Sequence, residues 1–190
     1  INENVVKPAI DSFLIFLENI DVHNITDISE LHKCIQNYTN FVILYFKQLI
    51  PQLIQLSENF IKSGILDKQF FGIETITKIS DSTDPEITES FVQWTTKTDL
   101  ADYILSKSFN NSFYERIRPI MVKLMSKDLL EKFWNSALIA HRSQRKPMFE
   151  ILSRAIVSVD EQSAIEFINY VILTSSSPHP LQVSLQSSSS

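Results

Sequence analysis

The sequence predicts an all-α fold, on three observations. Apolar residues recur at i, i+3, i+4 and i+7 along almost the whole of its 190 residues. No stretch keeps the period-two alternation of a half-buried strand bounded by turn residues. The periodic stretches, roughly eight or nine of them, have the 10 to 20 residue length of globular helices and are joined by short polar breaks.

Taken in order, helix one is expected to start near Pro8, read as an N1 proline, and to carry Ile10, Phe13, Leu14, Leu17 and Ile20 on one face. The short loop "DVHNIT" follows, and Asp27 or Ser29 can cap helix two. That helix holds Leu31, Ile35, Tyr38, Val42, Tyr45, Phe46 and Leu49, and runs into Pro51, whose missing N–H should kink or restart it. Its continuation should end at Gly64, a residue suited to the left-handed position past a helix end. Helix four spans about 67 to 79. "SDSTDPE" then breaks the chain before a capped helix with Ile87, Phe91, Val92 and Trp94. A short helix over 100 to 106 precedes "SFYERIRPIMVKLM", in which Pro119 should bend or restart the helix.

Two stripes come next: Leu130, Phe133, Trp134, Ala137 and Leu138, then Met148, Ile151, Leu152, Ala155 and Ile156, with "HRSQRK" between them read as a loop. A last helix, 160 to 173, carries Ala164, Ile165, Phe167, Ile168 and Val171. Helices of this length joined by short loops are organised like the stacked pairs of HEAT or armadillo-like arrays, here over 1–174. No fixed-period motif repeats, so an irregular helical bundle answers to the same pattern. Residues 175–190, ending "SLQSSSS", cannot bury a core and read as a Ser-rich disordered tail or linker.

Composition removes whole classes of function. With 2 glycines, Gly64 and Gly72, phosphate-cradling loops cannot be built, so no nucleotide cofactor is implied. One cysteine, Cys34, excludes an internal disulfide framework and a cysteine-rich zinc site, and suits a cytosolic or nuclear compartment. The longest apolar runs, such as "FVILYF", fall far short of the roughly 20 residues of a membrane span. Starting at Ile1 and ending in serines, the chain reads as a piece of something longer, so targeting signals are not legible.

No catalytic or metal-binding set emerges. His32 and Cys34 in "ELHKC" are two apart on a helix and point to different faces; Cys34 reads as a small hydrophobe near the core, His32 as a surface residue. His23, His32, His141 and His179 are scattered singly, without the i, i+4 convergence that a metal requires. The carboxylate pairs Asp99 with Asp102 and Glu86 with Glu89 sit in first helical turns, where acids complement the helix dipole. Trp134, mid-stripe, reads as a core anchor rather than a partner hot spot.

Charge is segregated along the chain. Residues 1 to 106 hold 7 Lys and Arg against 15 Asp and Glu, residues 107 to 154 hold 10 against 4, and residues 155 to 190 none against 3. Arg116, Arg118, Arg142, Arg145 and Lys146 are therefore the candidate partner-contact residues, joined on a basic face by Lys123, Lys127 and Lys132. The simpler reading of such a face is solvation; the functional one is contact with an acidic protein surface or a polyanion. Nucleic acid does not fit a chain of net charge −5 without aromatic residues interleaved among the basic ones.

Residues 66 to 171 also carry a resemblance. "FFGIETITKIS", "SFVQWTTKTDLADYIL", "ERIRPIMVKLMSKDLLEKFWNSALIAHRSQRKPMFEILSRAI" and "VDEQSAIEFINYVI", in that order, resemble the non-catalytic helical region of the large fat-facets-type ubiquitin-specific proteases. That family's pattern of a helix ending in Trp, a His-centred turn and a Leu-rich amphipathic helix is matched by Trp134, Ala137, His141, Phe149, Leu152 and Ala155. Where the family carries Gly before the His and an acid soon after it, this chain has Ala140 and Arg142. The resemblance implies an armadillo-like scaffold segment of a cysteine-type deubiquitinase, with protein partners that include ubiquitinated substrates. It carries over no catalytic residue, because neither the Cys box nor the His box of the family is present. A free-standing helical adaptor or trafficking scaffold without enzymatic activity is the first alternative, and a helical-bundle enzyme in its own right, for which the sequence shows no candidate set, is the second.

Overall fold

Helices account for all the regular secondary structure of the computed structural model, which describes the backbone of residues 3–21 and 28–176 and the side chains of 8–21 and 28–175. In chain order they are α1 (Glu3–Asn19), α2 (Ile28–Tyr45), a 3-10 turn (Lys47–Leu49), α3 (Ile50–Lys62), α4 (Leu66–Ser80), α5 (Pro85–Thr95), α6 (Leu100–Leu105), α7 (Asn111–Leu124), α8 (Lys127–Ile139), α9 (Arg142–Ala155) and α10 (Glu161–Ser176). The protein is all-α. The "DVHNIT" loop from residue 22, the Asp27 cap and the tail from residue 177 lie outside the described residues.

Local chemistry explains most boundaries. Pro51 restarts the chain as expected, standing in the first turn of α3 after the 3-10 turn. Gly64, at φ +77°, ends the α3 segment in the left-handed region. Asp84 caps α5 by accepting from the Glu86 N–H, Asn110 caps α7 by accepting from Phe113, and Ser126 caps α8 by accepting from Leu129. Asp160 starts α10, accepting from the Ser163 N–H at 2.9 Å.

Two proline expectations and one loop need correction. Pro8 does not start α1, which begins at Glu3. Pro119 lies inside an unbroken α7. Pro147 lies inside α9, so "HRSQRK" is not a loop: only Ala140 and His141 separate α8 from α9, and Arg142, Arg145 and Lys146 occupy the first turns of α9. Each proline removes a single intrahelical bond, and Pro8 and Pro147 are the sixth residues of their helices, barely past the turn whose N–H groups have no intrahelical partner anyway.

Packing arranges the helices in two layers. α2, α4, α7 and α9 follow one another in one layer, while α1, α3, α6, α8 and α10 follow one another in the other. The step from α3 to α6 is marked by the Tyr103 hydroxyl, which donates to the Lys62 carbonyl at 3.0 Å. Hairpins α3–α4 and α8–α9 tie the layers together, and α5 wedges against α3 and α4, the one departure from regular pairing. A single apolar core continues from Ile10 through Ile50, Ile76, Ile117 and Phe133 to Phe167, and a smaller cluster of Leu17, Ile35, Phe60 and Phe71 closes the first end.

Most predicted stripe positions are buried or half-buried, but four are exposed. Tyr45 is 57% exposed, Val92 53%, and Ile165 and Ile168 47% each. Tyr45 and Val92 sit at the edges of their stripes, where 100° per residue turns a side chain out of the seam. The two isoleucines of α10 have a different cause: α10 is the last helix of its layer, and among the described residues it packs chiefly on α8.

Candidate functional site

Half of the basic residues between 107 and 154 are paired with carboxylates of neighbouring helices. Arg116 on α7 pairs with Glu74 on α4 at 3.2 Å and lies over the Phe70 ring, 4.2 Å from its centroid. Arg118 pairs with Glu150 on α9 at 2.9 Å. Lys123 reaches Asp81 at 2.8 Å and also donates to the Ser80 carbonyl at 2.7 Å, closing the C-terminal end of α4. Lys132 on α8 pairs with Asp102 on α6 at 2.8 Å, and Lys127 with Glu166 on α10 at 2.5 Å. The basic block thus bridges from one stacked helix to the next, and the Lys127 hydrogen bond holds the Glu166 carboxyl below the usual carboxylate range. Of the five candidate partner-contact residues, Arg116 and Arg118 are each paired with a carboxylate, Glu74 and Glu150, whereas no carboxylate pairs with Arg142, Arg145 or Lys146 among the described residues.

Two other groups singled out in the sequence are structural. Cys34 is exposed and His32 is half-buried, the reverse of expectation. Leu31 and Ile35 define the inward line of α2, and His32 lies on its α4 side, paired with Glu74 and 5.1 Å from the Phe71 ring. Asp99 pairs with Lys62 and Asp102 with Lys132, so neither carboxylate serves its partner in sequence. Among the described residues, no three His, Cys, Asp or Glu side chains are placed to hold a metal ion.

Among the described residues the most buried charge is Glu58 on α3, 4% exposed. Trp94 Nε1 donates to its Oε2 at 2.6 Å, while Thr98 Oγ1 and Lys62 Nζ donate to its Oε1 at 2.9 and 2.5 Å. Burial pulls the Lys62 ammonium down, but its bonds to Asp99 and Glu58 outweigh that and raise it. Between α3 and α5 a cleft of about 390 Å³ borders this network. Both Glu58 oxygens are engaged by groups that join α3, α5 and the start of α6, which is the job of a packing network; an active carboxylate would keep an oxygen for substrate.

A site of another kind lies between α9 and α10. Phe149 and Leu152 from α9 with Ile156 at its C-terminal cap, Ile168 and Val171 from α10, and Trp134 from α8 line an almost wholly apolar groove of about 290 Å³. Trp134 is neither the core anchor expected nor a free surface ring. It is half-buried, with Phe149 5.5 Å from its ring centroid and Phe167 edge-on at 6.5 Å, and its Nε1 donates to Thr174 Oγ1 at 3.3 Å. It forms the floor of the groove.

Arg142, Arg145 and Lys146 lie in the first turns of α9, on the N-terminal side of the residues by which that helix lines the groove. All three are exposed, and Arg145 uses only its Nε, donating to the Ala140 carbonyl at 2.9 Å. Positions 142, 145, 149, 152 and 156 fall on one stripe of α9, so the basic side chains continue the apolar line. α8 and α10 run side by side in the same direction, Lys127 meeting Glu166 and Trp134 meeting Thr174. The C-terminal turns of α10 therefore arrive at the basic end, and they bring no acid, since no Asp or Glu follows Glu166.

Sequence reasoning found the three cations and missed the groove. A signal was present: residues 165 to 173 of α10 carry six large apolar side chains, too many for one face. No family model, no curated protein and no solved structure matches this chain.

Proposed function

We propose that this chain is a non-catalytic protein-interaction scaffold, a two-layer helical array that holds protein partners at its surface. The observation that carries this reading is the contrast between the interior and the α9–α10 end. Half of the ten basic side chains of the 107–154 block, those of α7 and α8, pair with carboxylates across helix seams, whereas the groove and the three cations at the start of α9 are presented to solvent. Apolar surface next to exposed charge is the composition of a docking site, while the buried polar network has no oxygen to give to a substrate.

On the resemblance of residues 66 to 171 we further assign the chain to the helical region of a large cysteine-type ubiquitin-specific protease. Its parent would remove ubiquitin from protein substrates with Cys and His boxes lying elsewhere. The free, exposed Cys34 accords with a cytosolic or nuclear setting. The test is capture of the native protein with an antibody to this segment, after treating lysate with ubiquitin bearing a C-terminal thiol-reactive group. A mass shift of one ubiquitin on a very large polypeptide, abolished by prior alkylation, is the expected result. A small, unlabelled polypeptide would overturn the enzyme assignment and leave a free-standing adaptor.

A further inference from the structure

We infer that the α9–α10 groove docks a partner's amphipathic helix whose apolar stripe ends in acidic residues, the acids meeting Arg142, Arg145 and Lys146. This rests on the scaffold reading and names the partner's chemistry. A groove between two helices, lined on one wall by Phe149, Leu152 and Ile156, repeats at the spacing at which a third helix inserts its own side chains. Its length along α9, from Phe149 to Ile156, is about two turns, enough for three apolar anchors at i, i+3 or i+4, and i+7.

Charge complementarity sets the rest. Arg142 and Arg145 stand on the same α9 stripe as the apolar lining, Lys146 lies one residue beyond Arg145, and the last turns of α10 contribute no carboxylate beside them. They also lie in the first turns of α9, where positive charge opposes the helix dipole, so they contribute nothing to that helix. An acidic end on the incoming helix satisfies all three at once. A basic end would be repelled.

The probe is a short fluorescein-labelled, stapled helical peptide with leucines at i, i+4 and i+7 and glutamates in its end turn, titrated against the full chain by fluorescence anisotropy. Saturable binding is expected, weakening with salt because the ion pairs are exposed. Ile168→Asp should weaken it by about tenfold or more, from loss of an apolar contact. Ile165→Asp, equally exposed on α10 but outside the groove lining, should leave it unchanged. Arg142→Glu with Arg145→Glu should weaken the acidic peptide and strengthen a lysine-ended version, while circular dichroism of every variant stays that of the parent.

Equal binding of acidic and basic peptides, or insensitivity to Ile168→Asp, overturns the inference. So does a dimer of the chain that Ile168→Asp abolishes, since a second copy would then be the occupant. Tighter peptide binding after removal of residues 177–190 would likewise make the chain's own end the occupant. If the parent is labelled by the ubiquitin probe but the peptide fails, the docking inference falls and the enzyme assignment stands; the reverse outcome separates them the other way.

Discussion

Gly72 offers the sharpest test of how α3 and α4 pack. A Cβ built on it would stand 2.3 Å from the Ser57 carbonyl oxygen, 3.0 Å from Ile61 Cγ1 and 3.1 Å from Phe60 Cβ. Gly72→Ala therefore has two opposed effects. Replacing glycine in a helix interior returns about 1 kcal/mol of helix propensity. Against that, α3 must retreat by roughly 1 Å along the seam to restore van der Waals separation, and a gap of that size forfeits up to about half of each dispersion contact it opens. Overpacking of this kind costs about 1–3 kcal/mol, and the upper end applies because the obstructing atom is a helix carbonyl, which cannot swing aside as a side chain does.

The net loss is about 2 kcal/mol, which lowers Tm by roughly 4–8 °C in a domain of this size. Gly64→Ala is the control. Nothing lies within 4 Å of its Cβ, but φ is +77°, so the substitution should cost about 1–2 kcal/mol through backbone strain alone. Urea titration with thermal melts on both variants measures the difference. A Gly72→Ala protein as stable as the parent, or more so, would refute the close approach of the two helices and the reasoning built on it.

Trp94→Phe removes the donor from Glu58 Oε2 and leaves a buried charged acceptor short of a partner, which should cost about 2–3 kcal/mol in a urea titration. The Asp84 and Asp99 carboxyls are held below their ordinary value of 3.8, first by hydrogen bonds from Lys47 and Lys62 respectively, and that of Asp160 by Ser163. A depressed folded-state value means stability that is fully present above about pH 4 and lost as pH falls through the lowered folded values, so Tm should drop at the acid end in a pH series. Asp99→Asn should flatten that drop. Arg142→Glu puts an acid at the first position of α9 and should raise stability by about 0.5–1 kcal/mol while weakening peptide docking, a split that thermal melts and anisotropy read separately.

Helical class was legible because periodicity is a local property. Leu31, Ile35 and Val42, or Met148, Ile151, Leu152 and Ala155, announce an inward stripe whatever it packs on, and Gly64 and Pro51 mark ends through their own backbone limits. Pro8 and Pro119 were misleading for the converse reason. A proline costs one hydrogen bond, a local term that a well-packed helix such as α7, with Ile117, Ile120 and Met121 fully buried, readily outweighs.

Which charges meet was not legible at all. Arg116 finds Glu74, Lys123 finds Asp81 and Lys132 finds Asp102 across separations of 30 to 42 residues, set by how the helices stack. By itself, then, the sequence determined the helices, their inward faces and an excess of basic residues between 107 and 154. The tertiary structure alone decided which of those cations are neutralised and which, at the start of α9, remain facing solvent beside an apolar groove. The physical reason is range: hydrogen bonding and side-chain periodicity act within a turn or two, whereas ion pairing and groove formation depend on surfaces brought together only when the layers pack.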